Sequence, residues 1–336
     1  MTPCVSIVMP TYNRLERLKA VLGALGRQTY PSSAFEVIIV SDGCTDGTDA
    51  YLQALQPPFT LHFLQQRNQG PAAARNLGVT CARGEIVLFL DDDVVPCPEL
   101  VAEHMRVHEG SPGDLIVLGP MLMPRDYRLE PWVRWEQEML GKQYDHMLQG
   151  HWAPTARQFY TGNTSLARAH LLAAGGFDPH FRRAEDVELA YRLAERGLRF
   201  VFVPQAIGYH YAQRSLESWL EIPYLYGRND LIFARDKGHR WLLPTILYEF
   251  QGRHALVRAL TRLCLGRARL SRLAIAGLRG VAALTDSFGL TRPARLAYSG
   301  IFNLRYYQGL AEGLGGRDRF FALVAQAAPQ AAQEKI

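Results

Sequence analysis

Cysteine is sparse and unpatterned in this 336-residue chain. The five cysteines, Cys4, Cys44, Cys81, Cys97 and Cys264, are odd in number, and no two stand as Cys-x-x-Cys. This disfavours a disulfide framework and a thiolate zinc site, and it fits a reduced, cytoplasmic compartment. Long apolar runs are also missing: no window reaches the about 18 uninterrupted apolar residues of a membrane span. The amino terminus enters a strand pattern at Val5-Ser6-Ile7-Val8-Met9 with no basic segment and long apolar stretch before it, so no signal peptide is expected. There is no internal repeat and no low-complexity linker. Aromatic and basic residues are not interleaved, which makes nucleic acid an unexpected partner. What remains is the composition of a folded soluble protein, 48% hydrophobic and 21% charged. The length allows one large α/β domain or two smaller ones.

Charge is unevenly spread. Residues 1–230 hold 21 Lys+Arg against 26 Asp+Glu, a balance of −5, whereas residues 231–336 hold 16 against 6, a balance of +10. The asymmetry suggests a catalytic body followed by a basic region with an anionic partner.

The first hundred residues alternate strand and helix patterns. Strands are expected at Val5–Met9, Phe35–Val40, Leu61–Gln65 and Ile86–Leu90, with helices at Leu15–Leu25, Asp46–Leu55 and Pro71–Cys81 between them. This order implies a mostly parallel, doubly wound sheet. A helix at about Glu99–Glu109 and a strand at Asp114–Leu118 follow. The stretch Pro124–Arg157, with Trp132, Trp135 and Trp152, shows little periodicity and reads as a lid.

The most informative run is Ile86-Val87-Leu88-Phe89-Leu90-Asp91-Asp92-Asp93. Five apolar residues argue for a strand buried on both faces. The three carboxylates arrive at its carboxyl end, where open α/β sheets bind ligands. Crowded carboxylates need a positive neighbour, and a hard divalent cation carrying phosphate is the natural one. The bland alternative is a solvated turn or a set of helix caps. Strand ends at Met9-Pro10-Thr11-Tyr12-Asn13-Arg14 and Val40-Ser41-Asp42-Gly43-Cys44-Thr45-Asp46-Gly47-Thr48 add polar loops suited to a nucleotide pocket, although a capping aspartate looks the same. Gly70-Pro71-Ala72-Ala73-Ala74-Arg75-Asn76 opens a helix of small residues. Arg75 reaches either a phosphate or a surface ion pair.

In this order and spacing, these segments together closely resemble the inverting glycosyltransferases of family 2, which have the GT-A fold. The resemblance covers roughly residues 4–235. It continues in Tyr160-Thr161-Gly162-Asn163-Thr164-Ser165-Leu166, in Ala174-Gly175-Gly176-Phe177-Asp178 and in Arg183-Ala184-Glu185-Asp186-Val187-Glu188. It implies an α/β GT-A catalytic domain over 1–235, with a nucleotide-binding half at 1–120 and an acceptor-side half at 121–235. A basic helical region spans 236–336. It implies a nucleotide-sugar donor held by Pro10, Thr11, Tyr12, Asn13, Asp42, Asn68, Gly70, Arg75, Asp91, Asp92, Gly162 and Asn163. Mn²⁺ or Mg²⁺ is implied on Asp91, Asp93 and His210, and Asp186 is the implied catalytic base with Glu185 beside it. Processive members carry Gln-x-x-Arg-Trp and membrane spans. Here Lys237-Gly238-His239-Arg240-Trp241 replaces that motif, so a non-processive enzyme is expected.

The expected donor is a UDP-sugar, and the expected acceptor a saccharide or lipid-linked saccharide in cell-surface or exported glycan or glycolipid synthesis. Two other classes fit less well: a nucleotidyltransferase acting on a sugar phosphate, and a non-catalytic sugar-binding scaffold. In the basic region, Arg258, Arg262, Arg269, Arg272 and Arg279 fall on one face of a continuous helix at ~100° per residue. Such a face suits an anionic membrane surface, with the protein peripheral on the inner face. The alternative is a helical bundle with solvated arginines. Gly266, Gly277 and Gly280 favour several short helices there.

Overall fold

The computed structural model describes residues 3–110, 113–181 and 183–328. The end of the expected basic region, 329–336, lies outside the described residues. The described residues fall into two compact units: one lies within 3–129 and 137–212, the other within 130–136 and 213–328. The division at Ala212 and Gln213 comes earlier than the expected boundary at 235.

Among the described residues the first unit contains ten strands. They are β1 (Val5–Thr11), β2 (Phe35–Asp42), β3 (Thr60–Gln66), β4 (Ile86–Leu90), β5 (Val94–Pro96), β6 (Leu115–Leu118), β7 (Met121–Leu122), β8 (Asn163–Ala167), β9 (Arg199–Phe202) and β10 (Gly208–His210). Between them run α1 (Leu15–Leu25), α2 (Thr48–Ala54), α3 (Pro71–Cys81), α4 (Leu100–Glu109), most of α5 (Pro131–Leu148), α6 (Arg168–Ala173) and α7 (Glu185–Glu195). Seven strands form one sheet in the order β3-β2-β1-β4-β8-β6-β9, and β5-β10-β7 form a small second sheet. In the large sheet only β8 runs antiparallel to its neighbours. The α/β fold and the mostly parallel sheet are as the sequence implied.

The apolar runs explain the layering. Every residue of β2 and β4 is buried, which is what strands covered on both faces require. Helix α3 lies close to β1 and β2 because its face is small. A Cβ on Gly78 would overlap Val8 and press on Val40. Register then places the chemistry. Asp91 follows directly on β4, and β8 pairs Asn163 with Leu90, so Gly162 comes beside Asp91. In the small sheet β10 pairs His210 with Val94, which sets that histidine next to Asp93.

One expectation fails here. The stretch read as a lid is half helix, the 18 residues of α5. Its tryptophans and polar residues share no single wide apolar stripe, so periodicity did not reveal it.

The second unit adds α8 (Leu216–Arg235), α9 (Leu242–Gly252), α10 (Ala255–Cys264), α11 (Ala268–Ser287), α12 (Thr291–Gly313) and α13 (Arg317–Gln326). Helices α8 and α12 touch backbone to backbone. A Cβ on Gly227 would overlap the Tyr306 carbonyl, and one on Gly309 the Tyr224 carbonyl. Around this crossing Trp135, Trp219 and Phe302 pack ring against ring, with Trp135 and Trp219 edge-on at 5.9 Å. The expected single arginine face is corrected: Leu265-Gly266-Arg267 separates α10 from α11, so the five arginines belong to two helices. Gly266, at φ +74°, makes that break, whereas Gly277 and Gly280 are accommodated inside α11. Among the described residues no helix is long and apolar enough to cross a membrane.

Candidate active site

The three aspartates after β4 diverge toward two guanidinium groups. Arg14, just past β1, places Nη1 at 3.0 Å from Asp92 Oδ1 and 2.6 Å from Asp93 Oδ2. Thr11 donates its hydroxyl to Asp92 Oδ2 at 2.8 Å. Burial opposes the Arg14 charge, but Asp93 and Asp92 outweigh it and raise its pKa above the ordinary value. Burial and the Asp93 charge push Asp92 up to about 7, against the pull of Arg14. Asp92 therefore gives up its proton less readily than an ordinary carboxyl.

Asp91 turns the other way. Arg75, one turn into α3, donates Nη2 to Asp91 Oδ1 at 2.9 Å and Nη1 to Glu185 Oε1 at 3.0 Å. This corrects two expectations. Arg75 is buried and engaged at both ends, so it ties carboxylates together rather than offering a hand to phosphate. Asp91 is held by Arg75 rather than standing beside Asp93. The bridge also separates the roles of the acids opening α7. Glu185 is neutralised by Arg75. Asp186 is left to accept its neighbour's amide, from Val187 at 2.8 Å. Burial first, then the Glu185 charge, push Asp186 up to about 7. Ala184 turns the chain into α7 in the left-handed conformation, φ +58°. Among the described residues the only other non-glycine with positive φ is Asn13, at +51°. Both strained residues adjoin the site, where such strain is characteristically held.

On the nucleotide side, Pro10 is half-buried and Thr11 buried, while Tyr12 is 51% exposed and offers a ring face. Asn13 Oδ1 accepts from the Thr45 amide at 2.7 Å, stitching the β1 and β2 loops. Asp42 accepts from Gln66 Nε2 at 2.7 Å and from the Gln69 and Gly70 amides at 2.8 and 2.9 Å. A carboxylate has about four acceptor sites, so one remains for a base N–H. Asn68 is exposed, and Gly70 precedes α3 at φ +89° with open space where a Cβ would stand. Gly162 lets Asp91 Oδ2 approach: a Cβ there would stand 3.1 Å from it and overlap Met121.

Asn163 is a correction. It is fully buried, donates Nδ2 to the Pro120 and Ala206 carbonyls at 3.1 and 2.7 Å, and meets His104 Nε2 through Oδ1 at 2.9 Å. All its polar atoms are spent, so it is a strut rather than a donor contact. Burial depresses His104 to about 4, so this network holds a neutral imidazole.

Among the described residues no three His, Cys, Asp or Glu converge to enclose a metal ion. The donor set present is Asp93 with His210, whose Nε2 lies 3.6 Å from Asp93 Oδ1. One carboxylate and one imidazole suit Mn²⁺, and an ion delivered with a diphosphate needs only one or two protein ligands. These two residues fit such an ion; Asp91 does not join them. Gln137 on α5 meets His210 Nδ1 at 2.9 Å and orients the ring. Sequence reasoning missed both Arg14 and Gln137. Arg14 was available as the only cation in the Pro10–Arg14 segment, whereas nothing in sequence ties Gln137 to His210.

Residues 6–172 match the family described as "Glycosyl transferase family 2". The chain is 32% identical over 249 residues to a validoxylamine A glucosyltransferase of Streptomyces hygroscopicus subsp. jinggangensis, covering 66% of this chain and 56% of that protein. The chain thus spans about half the length of the curated relatives it matches. Among solved structures, the mannosyltransferase PcManGT from Pyrobaculum calidifontis, in complex with GDP-Man and Mn²⁺, is 21% identical with a TM-score of 0.59, covering 93% of this chain and 88% of that one. TarS of S. aureus in complex with UDP is 19% identical with a TM-score of 0.54, covering 93% and 91%. These likenesses bear out the GT-A architecture of the α/β unit. On the ordered strand-end motifs, the fold and the matched region, the protein belongs through residues 6–172 to glycosyl transferase family 2.

Proposed function

We propose that this protein is an inverting glycosyltransferase that moves a sugar from a nucleotide-diphosphate sugar, with a UDP-sugar as the expected donor, to an acceptor hydroxyl. The observation that carries the reading is the Asp91–Arg75–Glu185 bridge. It fixes the carboxylate at the end of β4 against the start of α7, and leaves Asp186 as the titratable group facing the same space.

In this reading the loops after β1 and β2 hold the base and ribose, with Tyr12 as a ring platform and the remaining acceptor site of Asp42 for a base N–H. Asp93 and His210 are the residues that would hold Mn²⁺ or Mg²⁺. When bound, the cation stabilises the charge that develops on the departing diphosphate. Asp186 takes the proton from the acceptor hydroxyl as the acceptor oxygen bonds to the anomeric carbon. The bond from that carbon to the diphosphate oxygen breaks in the same displacement, which inverts the centre. A base with a pKa near 7 suits this transfer at neutral pH. The acceptor is a saccharide, free or lipid-linked, in exported or cell-surface glycan synthesis. The PcManGT complex with GDP-Man and the TarS complex with UDP keep both nucleotide classes in the test.

Thermal shift with UDP-, GDP-, dTDP- and CDP-sugars, with and without Mn²⁺, tests the reading, since a ligand of the native state raises apparent stability. The expected result is a Mn²⁺-dependent rise for the UDP class, with slow release of nucleotide from the bound donor. No rise with any donor would overturn it.

A further inference from the structure

The second unit presents an apolar surface that the proposed chemistry does not use. On α11 and its carboxyl-terminal cap, Leu270, Leu273, Val281, Leu284 and Phe288 are 39–72% exposed. At ~100° per residue they lie within about 80° of one another, with Gly277 between them. Ser271 and Ala282 mark the opposite, packed side of this helix. The stripe runs 18 residues, about 27 Å at 1.5 Å per residue. Helix α10 repeats the pattern with Leu256 and Leu263, 60% and 55% exposed. Glycine-lined packing fixes both helices from beneath: Leu260 of α10 and Leu278 of α11 both rest on Gly300 of α12.

Charge says what such a surface meets. Between Glu249 and Asp286 the sequence holds seven arginines and no acidic residue. Asp286 itself is turned to Arg134 at 3.0 Å. Near the amino end of α11, on the side that Ser271 marks and away from the stripe, lies a cavity of about 490 Å³ with Arg267, Arg272, Arg305 and Arg317 in its wall. Its one lining acid, Glu312, accepts the Tyr224 hydroxyl at 2.6 Å. Burial lowers the Arg305 pKa below its ordinary value, a sign that its charge is under-compensated. A second copy is a poor occupant, because the two apposed faces would bring arginines together with no acid between them. A surface of anionic phospholipid supplies both what the leucines need and what the arginines need.

We propose that the α10–α11 face seats this protein on an anionic phospholipid bilayer, with the leucine stripe entering the interface and the exposed arginines Arg262 and Arg269 beside it meeting lipid phosphates. Each arginine near such a surface strengthens partition about fivefold. The proposal is independent of the donor chemistry and stands if that reading fails.

The test is co-sedimentation of the full chain with vesicles of phosphatidylcholine alone and with about one third phosphatidylglycerol added, at low and high salt. The expected result is binding to the anionic vesicles only, weakened by salt. Leu273→Glu/Leu284→Glu should lower it more than about tenfold, as each charge placed in the interface opposes insertion. Leu172→Glu, at an exposed leucine of α6 in the other unit, should leave binding unchanged. All these sites are exposed, so melting temperature should stay constant and excludes misfolding as the cause. Equal binding to neutral vesicles, no binding to either, or full binding by the double variant would overturn the proposal. A dimer that the double variant dissolves, without vesicle binding, would assign the stripe to a second copy and overturn it too.

Discussion

Replacing Asp186 with Asn should stabilise the protein and abolish transfer at once. The folded state lifts this carboxyl from 3.8 to about 7, by burial and by the neighbouring Glu185. Ionising it in place is therefore harder than in the unfolded chain. A difference of about three pH units at 1.36 kcal/mol each sets an upper bound of about 4 kcal/mol. Asp186 is partly reached by solvent, which brings the expected value to about 2–4 kcal/mol. The direction with pH follows from proton binding. Between 3.8 and about 7 the folded chain keeps a proton that the unfolded chain gives up. The stability contributed by this group is thus fully present below pH 3.8 and lost as pH rises through 7. Asn never ionises, so the advantage of Asp186→Asn should be complete at pH 8 and shrink steadily toward pH 4. At about 2–4 °C per kcal/mol for a domain of this size, melting at pH 8 should rise by about 4–16 °C. Asn still accepts the Val187 amide, so the start of α7 is kept. Nucleotide release from the donor, in the presence of acceptor, should fall by about 10²–10⁴ in the variant. Donor-induced stabilisation should persist. In the parent protein kcat/KM should rise with pH through an inflection near 7. A variant that turns over normally, or that melts below the parent at pH 8, would refute the reasoning.

Three further outcomes follow from the same geometry. Arg14→Met removes the cation that holds Asp93, so free Mn²⁺, followed by electron paramagnetic resonance without donor, should bind about tenfold more tightly, the equivalent of one charged hydrogen bond no longer displaced; unchanged affinity would separate Arg14 from the ion. Asn163→Ala leaves the Pro120 and Ala206 carbonyls and His104 short of buried partners and should cost about 3 kcal/mol in urea unfolding, with donor affinity kept in the folded fraction. Intact stability with lost donor affinity would return Asn163 to the donor site. Gly309→Ala drives a methyl into the Tyr224 carbonyl and should destabilise the second unit by about 3 kcal/mol, visible as an earlier unfolding transition, while donor-induced stabilisation of the first unit remains.

The layers of the first unit were legible because its strands and helices follow strong periods. α1, α3 and β4 fall on the residues their patterns indicated, since each combines an unbroken apolar face with a clear start and stop. α5 was not legible, because its face is mixed and its tryptophans are distributed to different surroundings. The exposed arginines of the second unit were visible as a spacing, but that spacing was carried across a helix break that only the positive φ of Gly266 reveals. Site residues on strand ends were legible for the same reason as the strands. What sequence could not supply was pairing. Arg75 and Glu185 are 110 positions apart, and Gln137 and His210 are 73 apart, so their meeting depends on the folded sheet.

The same limit bears on how the carboxylates after β4 are balanced. Sequence alone pointed to a divalent cation as their neutraliser, yet two arginines already stand among them, and exposure separates their roles. The Arg75 side chain is 6% exposed and bridges two partners, so removing it would strand the buried Glu185 and the half-buried Asp91 without a counter-charge. Arg14 is 42% exposed at the side chain, so it has room to move into solvent when another cation takes its place beside Asp92 and Asp93. Arg75 is therefore a fixed part of the architecture. Arg14 is an exchangeable counter-charge, holding Asp92 and Asp93 together until a better cation or a diphosphate competes for them. A proton on Asp92 near neutral pH lessens the repulsion during that exchange. The aspartate run is tolerable in the free protein for this reason, and Asp93, facing the exposed Arg14, rather than Asp91, held by the buried Arg75, is the carboxylate whose counter-charge can be exchanged.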